Sequence, residues 1–306
     1  MNSNIIFPPY LKAGDLIRIV SPASVIKPEL VDGARKALCD NGFRVEIAPH
    51  ALGACGSYAA SIAAREADVA DALTDPEVRA VLCSRGGYGC VHLLEGLSRL
   101  NLRDDPKWLI GFSDVSALHA LMLSQGIASV HGSMAKALAL HPAEFAPNKT
   151  LYDILTGRRM PQLSAPPHHY NQAGEASGRI MGGNLAVIQA LAATPFSPFK
   201  PGSILFIEDI AEPIYKVERI LWQLRLAGIL DSLSGLIIGQ FTDYRPDSNW
   251  NDMYDMINHA VGSRNYPVAY GFPIGHIEEN MPVVSGAEAR LSVSAQGSCL
   301  MLLSPC

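Results

Sequence analysis

Charge is scarce in this chain. Charged residues make up 17% of its 306 positions, against about 25% in a typical soluble domain. They carry no cationic excess, since 24 Lys and Arg face 29 Asp and Glu for a net charge of −5. That balance lacks the electrostatic footprint of a nucleic-acid binder and offers an anionic membrane surface nothing to attract. A small molecule or peptide is the expected partner. No apolar run reaches 18 residues without Gly, Pro or a charge, so no transmembrane helix is expected. The opening segment MNSNIIFPPYLKAGD has no basic stretch ahead of a long apolar run and no small-residue cleavage site, so it does not read as a signal peptide and a cytoplasmic protein is expected. The six cysteines (Cys39, Cys55, Cys83, Cys90, Cys299, Cys306) form no C-x-x-C pair and show no zinc-like spacing with histidine. Reduced, mostly buried thiols are the reading. Apolar residues, by contrast, are plentiful at 48%, which excludes disorder, collagen and coiled coil. The length suggests two domains, or one large α/β unit.

The first 130 or so residues alternate short β-rich runs with amphipathic stretches, the pattern of βα units on a doubly wound parallel sheet. Strands are expected at 15–20, 43–48, 79–83 and 108–112, and helices at 28–41, 63–73, 91–97 and 115–125. Pro28 near the start of the first helix and Gly42 just past its end punctuate it as helix termini require. Between residues 142 and 174 the periodicity fades and prolines accumulate (Pro142, Pro147, Pro161, Pro166, Pro167), so this stretch reads as a linker between a domain at 1–141 and another at 175–306. Its His168-His169 pair reads as loop, because adjacent side chains rarely converge on one ion. The second half shows Gly182-Gly183-Asn184 opening a helix at 185–193, a strand at 204–207, a helix at 214–227, a strand at 236–240, and short strands from 281 to 303. A smaller mixed or mostly β domain is expected there.

Few residues in this frame are placed to do chemistry. Ser113 lies where a strand turns into a helix, a nucleophile's position beside the backbone N–H groups of a helix start. Ser-Asp before a helix is equally an ordinary N-cap. The segment Gly111-Phe112-Ser113-Asp114-Val115 lacks the second glycine of the G-x-S-x-G elbow. Arg85-Gly86-Gly87-Tyr88-Gly89 follows a strand, and its glycines could bring amides close to a substrate oxygen or form a structural turn. It matches neither a P-loop nor G-x-G-x-x-G. If Ser113 is a nucleophile, the amides of Gly87 and Asp114 could form its oxyanion hole. Glu208 and Asp209 end a strand, facing a cleft or solvent. His276 lies in the strand exit Gly271-Phe272-Pro273-Ile274-Gly275-His276. Together Ser113, Glu208 and His276 compose a possible nucleophile, orienting carboxylate and base.

Taken with Ser21-Pro22, Gly182-Gly183-Asn184-Leu185, and Leu205-Phe206-Ile207-Glu208-Asp209 followed by Glu218-Arg219, these segments resemble, in order and over almost the whole chain, the LD-carboxypeptidase family of serine peptidases. The resemblance implies a Rossmann-like N-terminal domain and a C-terminal swivelling β-barrel-like domain. It implies Ser113 as nucleophile, His276 as base, Glu208 as its partner, and Gly87 and Asp114 as amide donors to the oxyanion. It also implies a cytoplasmic, commonly dimeric enzyme of cell-wall recycling that needs no metal or cofactor and removes a terminal D-alanine from muropeptides. From its position beside the glycine loop, Arg85 is the candidate cation for the leaving residue's carboxylate, with a purely structural role as the alternative. Where members often read Leu-Pro-x-Gly-Ala after the histidine, this chain has Met281-Pro282-Val283-Val284-Ser285-Gly286-Ala287. The alternatives are a relative that cleaves microcin C-like peptidyl adenylates, a non-catalytic binding module, and a metal-dependent amidase for which no H-E-x-x-H is present.

Overall fold

Parallel strands covered on both faces read as unbroken apolar runs, and the first half of the chain is built from them. The computed structural model describes residues 5–303; Cys306 and residues 1–4 of the opening segment lie outside them. The chain forms two units, Met1–Met160 with Met281–Gly286, and Pro161–Asn280 with Ala287–Cys306.

The first unit runs β1 (Leu16–Val20), α1 (Pro28–Asp40), β2 (Arg44–Ile47), α2 (Ile62–Thr74), β3 (Val78–Cys83), α3 (Leu94–Leu97), β4 (Trp108–Gly111), α4 (Ser116–Ser124), β5 (Ser129–His131), α5 (Ala135–Leu140) and α6 (Ala146–Leu155). β1 to β5 are parallel in the order β2-β1-β3-β4-β5, and the late strand Val283–Ser285 adds antiparallel to β5. The order reverses between β1 and β3, and such a switch point is where open α/β sheets leave a crevice at their carboxyl ends. The loops carrying Ser21-Pro22 and Arg85–Gly89 leave the sheet there. All four residues of β4 are buried, and α1 turns Val31, Ala34 and Leu38 inward at helical spacing.

The differences from expectation are local. The helix expected at 91–97 is a 3-10 turn, Cys90–Leu93, followed by the short α3; the Cys90 N–H is already bonded to the Asp114 carboxylate, which tightens the entry. The helix expected from 115 likewise opens as a 3-10 turn, Ser113–Val115. β5 has only three residues, too few to show a period. The stretch 142–174, read above as a linker, holds a helix and a strand. Pro147 sits in the first turn of α6, where a missing N–H costs nothing.

The second unit runs β6 (Gln162–Ala165), β7 (Gly174–Asn184), α7 (Leu185–Ala190), β8 (Ile204–Ile210), α8 (Ile214–Leu226), α9 (Ile229–Ser232), β9 (Gly235–Thr242), α10 (Met253–Val261) and β10 (Val268–Tyr270). After β11, the strand Val283–Ser285 of the first unit, come β12 (Glu288–Ser294) and β13 (Gly297–Leu302). The sheet order is β10-β9-β8-β7-β12-β13-β6. The long β7 serves both halves: Gly174–Arg179 pairs antiparallel with β12, and Ile180–Asn184 pairs parallel with β8. In the parallel half, β8 and β9 are buried nearly throughout, over a core that α7, α8 and α10 share. The antiparallel half alternates buried and exposed residues, as one-sided strands do. The chain leaving β6 reaches the opposite margin, where Gln172 and Val268 exchange backbone hydrogen bonds of 2.9 and 3.1 Å. That makes this smaller unit barrel-like.

The five described cysteines are free thiols. Cys83 on β3 and Cys90 in the 3-10 turn are buried, Cys299 on β13 is partly buried, and Cys39 and Cys55 are exposed, so "mostly buried" holds for only two of the five. No helix among the described residues is long and apolar enough to cross a membrane.

Candidate active site

In the first unit the backbone is strained where β4 ends. Phe112 is extended (φ −152°, ψ −170°) and Ser113 turns to φ 64°, one of three non-glycine residues in the left-handed region among the described residues. An N-cap residue is extended, so Ser113 does not have a cap's backbone. Holding a non-glycine residue there costs about 1–3 kcal/mol, and the neighbourhood supplies the restraint. The Asp114 carboxylate accepts the Cys90 N–H at 2.8 Å, and the Gly132 N–H donates to the Gly111 carbonyl at 3.0 Å.

The glycine loop approaches that turn closely. A Cβ on Gly86 would lie 2.8 Å from the Ser113 Cβ and 3.3 Å from the Asp114 nitrogen. Gly87 has φ 114°, and a Cβ there would fall 2.1 Å from the Ser24 hydroxyl, so only glycine fits. Neither the Gly87 nor the Asp114 amide donates to an acceptor among the described residues. Arg85 is exposed, its guanidinium donating to the Val25 carbonyl at 3.0 Å.

Beneath the serine lies a histidine that sequence reasoning missed. His119 of α4 is buried, with Nε2 2.8 Å from the Gly111 carbonyl and Nδ1 2.8 Å from the Ser129 hydroxyl. Burial pushes its pKa down to about 4, against the opposing pull of the Gly111 carbonyl. The ring is therefore neutral near pH 7, and donation to Gly111 assigns the proton to Nε2. The available signal was one polar ring in the otherwise apolar run Ala117-Leu118-His119-Ala120-Leu121-Met122.

In the second unit, side chains do what strain does in the first. β8 continues through Ile210, so Glu208 lies inside the strand rather than at its end. The register with β9 shifts between Ile207 and Asp209, leaving Gly239 and Gln240 opposite Glu208; such a bulge re-aims side chains. Gln240 then anchors the loop after β10. Its N–H donates to the Ile274 carbonyl at 2.8 Å and its side-chain amide to the Phe272 carbonyl at 2.9 Å. Gly275 (φ 130°) closes the approach, since a Cβ there would stand 2.9 Å from the Glu208 Cβ. The outcome is His276 Nδ1 at 2.7 Å from Glu208 Oε2, on a carboxylate with no solvent exposure. Burial excludes the solvated-carboxylate reading of Glu208. An ionised carboxylate only accepts, so the proton belongs on Nδ1 and Nε2 is the basic nitrogen.

Asp209, also buried, takes a different part. It accepts from the Asn184 side chain and from the Ala186 and Ile210 N–H groups at 2.8–2.9 Å, tying β8 to the start of α7. Burial raises its pKa to about 6, helped by the neighbouring Glu208 charge and opposed by the hydrogen bonds it accepts. His168 stacks on Tyr270 with ring centroids 5.1 Å apart. Among the described residues no group of three or more His, Cys, Asp or Glu is gathered where it could hold a metal.

Within each unit, then, the structure brings Gly86, Gly87, Ser113 and Asp114 together, and Glu208 with His276. The LD-carboxypeptidase N-terminal domain profile matches residues 17–132 and the C-terminal domain profile residues 177–291. The murein tetrapeptide carboxypeptidase of Pseudomonas aeruginosa is 30% identical over 284 residues, which cover 90% of this chain and 92% of that protein. A crystal structure of muramoyltetrapeptide carboxypeptidase from Oxalobacter formigenes superposes with a TM-score of 0.83 at 27% identity, covering 95% of this chain and all of that one. The microcin C7 self-immunity protein MccF, in an apo active-site mutant, shares the fold with a TM-score of 0.85 at 19% identity, over 99% of each chain. Matched over both units, the chain belongs to the LD-carboxypeptidase family of serine-type carboxypeptidases.

Proposed function

We propose that this enzyme hydrolyses the amide between an L-centre, meso-diaminopimelate or lysine, and the terminal D-alanine of muropeptide tetrapeptides. His276 Nε2 takes the proton as Ser113 Oγ attacks the carbonyl. Glu208 holds the imidazole tautomer and stabilises the imidazolium, and the amides of Gly87 and Asp114 meet the tetrahedral oxyanion. The imidazolium returns the proton to the departing D-alanine amine, and water releases the acyl group by the same base. The observation that carries this chemistry is the 2.7 Å contact of His276 Nδ1 with a fully buried carboxylate. The substrate class is supported by the similarity to the murein tetrapeptide carboxypeptidase of Pseudomonas aeruginosa and the muramoyltetrapeptide carboxypeptidase of Oxalobacter formigenes. Arg85, exposed beside the glycine loop, would meet the leaving residue's carboxylate. A cytoplasmic, homodimeric enzyme of cell-wall recycling completes the reading; fractionation and light scattering test that part.

The central test offers a tetrapeptide ending in an L-centre and D-Ala, its all-L isomer, a pentapeptide ending in D-Ala-D-Ala, and a peptidyl adenylate, with products identified by mass. Release of D-alanine from the first alone is expected, since a pocket built for one stereochemistry leaves the other's carboxylate unpaired. EDTA should change nothing, and Arg85→Ala should raise KM. Comparable rates on L and D isomers, or cleavage of the adenylate alone, would overturn the substrate assignment.

A further inference from the structure

Two buried charges of the first unit bond to the two ends of one peptide group. Arg65 of α2 is 1% exposed and makes no ion pair among the described residues. Its guanidinium is satisfied by neutral groups instead: Nε by the Ala60 carbonyl at 3.1 Å, Nη1 by the Pro22 and Gly89 carbonyls at 2.5 and 3.0 Å, and Nη2 by His92 Nδ1 at 3.4 Å, with the Tyr58 ring under it at 4.8 Å. Asp114, 3% exposed, has no cation partner among the described residues; its Oδ2 accepts the Cys90 N–H at 2.8 Å. A buried charge left this way is costly unless its surroundings are polarised to suit it.

One peptide group does so for both. The Gly89 carbonyl points its negative end at Arg65, and the N–H of the same Gly89–Cys90 peptide points its positive end at Asp114. The sequence cation, carbonyl, amide, carboxylate is aligned throughout, and each bond strengthens the next. Its ends lie where the proposed chemistry needs rigidity. The peptide closes the loop that carries Gly87, Arg65 also holds the Pro22 carbonyl at the exit of β1, and Asp114 is the residue after Ser113.

We propose that Arg65 and Asp114 are positioning residues that clamp the Gly87 loop onto the left-handed Ser113 turn through the Gly89–Cys90 peptide, fixing the two oxyanion amides in register. The proposal rests on the reading of Ser113 as nucleophile. It assigns the Asp114 side chain a task separate from that of its amide, and makes Arg65, remote in sequence, a partner in it.

The test compares Arg65→Met, Arg65→Lys, Asp114→Asn and the Arg65→Met/Asp114→Asn double variant. D-alanine release, labelling of Ser113 by a fluorophosphonate, hydrogen exchange at residues 86–90 and thermal melting are measured for each. Asp114→Asn keeps shape and an acceptor oxygen but removes the charge. Each single variant should lower kcat by about 10²-fold, the scale of a lost oxyanion donor, with KM little changed and labelling slowed in parallel. Exchange at 86–90 should accelerate. Because the pair acts as one device, the double variant should lose little more than the worse single. Arg65→Lys should recover little of the loss, since one ammonium cannot span three carbonyls in a fixed fork. Multiplicative losses, a rise in KM with kcat intact, or unchanged exchange at 86–90 overturn the clamp. If Arg65→Met does not fold, Asp114→Asn decides through labelling and exchange. A wild-type enzyme unlabelled at Ser113 overturns the nucleophile reading and the positioning role with it; a labelled wild type with unaffected variants overturns the clamp alone.

Discussion

The two units hold their candidate residues by different means. In the first, the important geometry is backbone: a serine at φ 64°, a glycine at φ 114° and two buried charges joined through a peptide. In the second it is side chain: a carboxylate aimed by a strand bulge at an imidazole 2.7 Å away. Backbone devices tolerate no added Cβ and depend on neighbouring loops, whereas the imidazole–carboxylate pair depends on charge and tautomer. Added bulk at the glycine loop should therefore damage the first unit, whereas loss of charge at constant shape should be enough to disable the pair in the second.

The heaviest loss is expected at Ser113. Changing it to Ala should cost turnover about 10⁴-fold or more. Ser113→Gly should abolish turnover equally yet raise the melting temperature, because glycine occupies the left-handed region without strain. A Ser113→Ala enzyme with near-normal turnover would remove the first unit from the chemistry. Next comes Glu208→Gln, which keeps shape but not charge and should lower kcat by about 10³- to 10⁴-fold with KM nearly unchanged. Unaltered turnover would show that the pair is structural. Gly87→Val should cost about 10²-fold in kcat through the displaced amide; activity equal to wild type would reduce the loop to a turn.

The weakest effect concerns pH and has opposite signs in the two units. His119 has a folded pKa near 4, below its ordinary value near 6.5, so its contribution is intact above pH 6.5 and is lost as pH falls towards 4. Asp209 has a folded pKa near 6, above its ordinary value near 3.9, so its contribution is intact below about pH 4 and is lost as pH rises through 6. Each amounts to about 3 kcal/mol at most. Hydrogen exchange resolved by unit between pH 4 and 7 should show His119→Gln flattening the first unit's loss at low pH and Asp209→Asn flattening the second's loss at high pH. Slopes of the same sign would break the contrast.

Much of this was legible in the order of residues. Apolar runs placed β1 to β4 within one or two residues, and the segments around Ser113, Glu208 and His276 named candidates before any fold was known. Elements that show no period were missed: β5 has three residues, and α6 lies among prolines. Glu208 was placed at a strand end, while the bulge at Gly239–Gln240 puts it inside.

Residue order alone settled which residue types were available, the parallel architecture of the first unit and the family motifs, because apolar period, glycine spacing and turn chemistry act over a few neighbours. Folding in three dimensions was needed to make Arg65 polarise the Gly89–Cys90 peptide against Asp114, to hold His119 neutral beneath the serine strand, and to bury Glu208 against His276, 68 residues away in sequence. Desolvation and hydrogen-bond direction depend on what the rest of the chain folds around a group, and no local pattern encodes them.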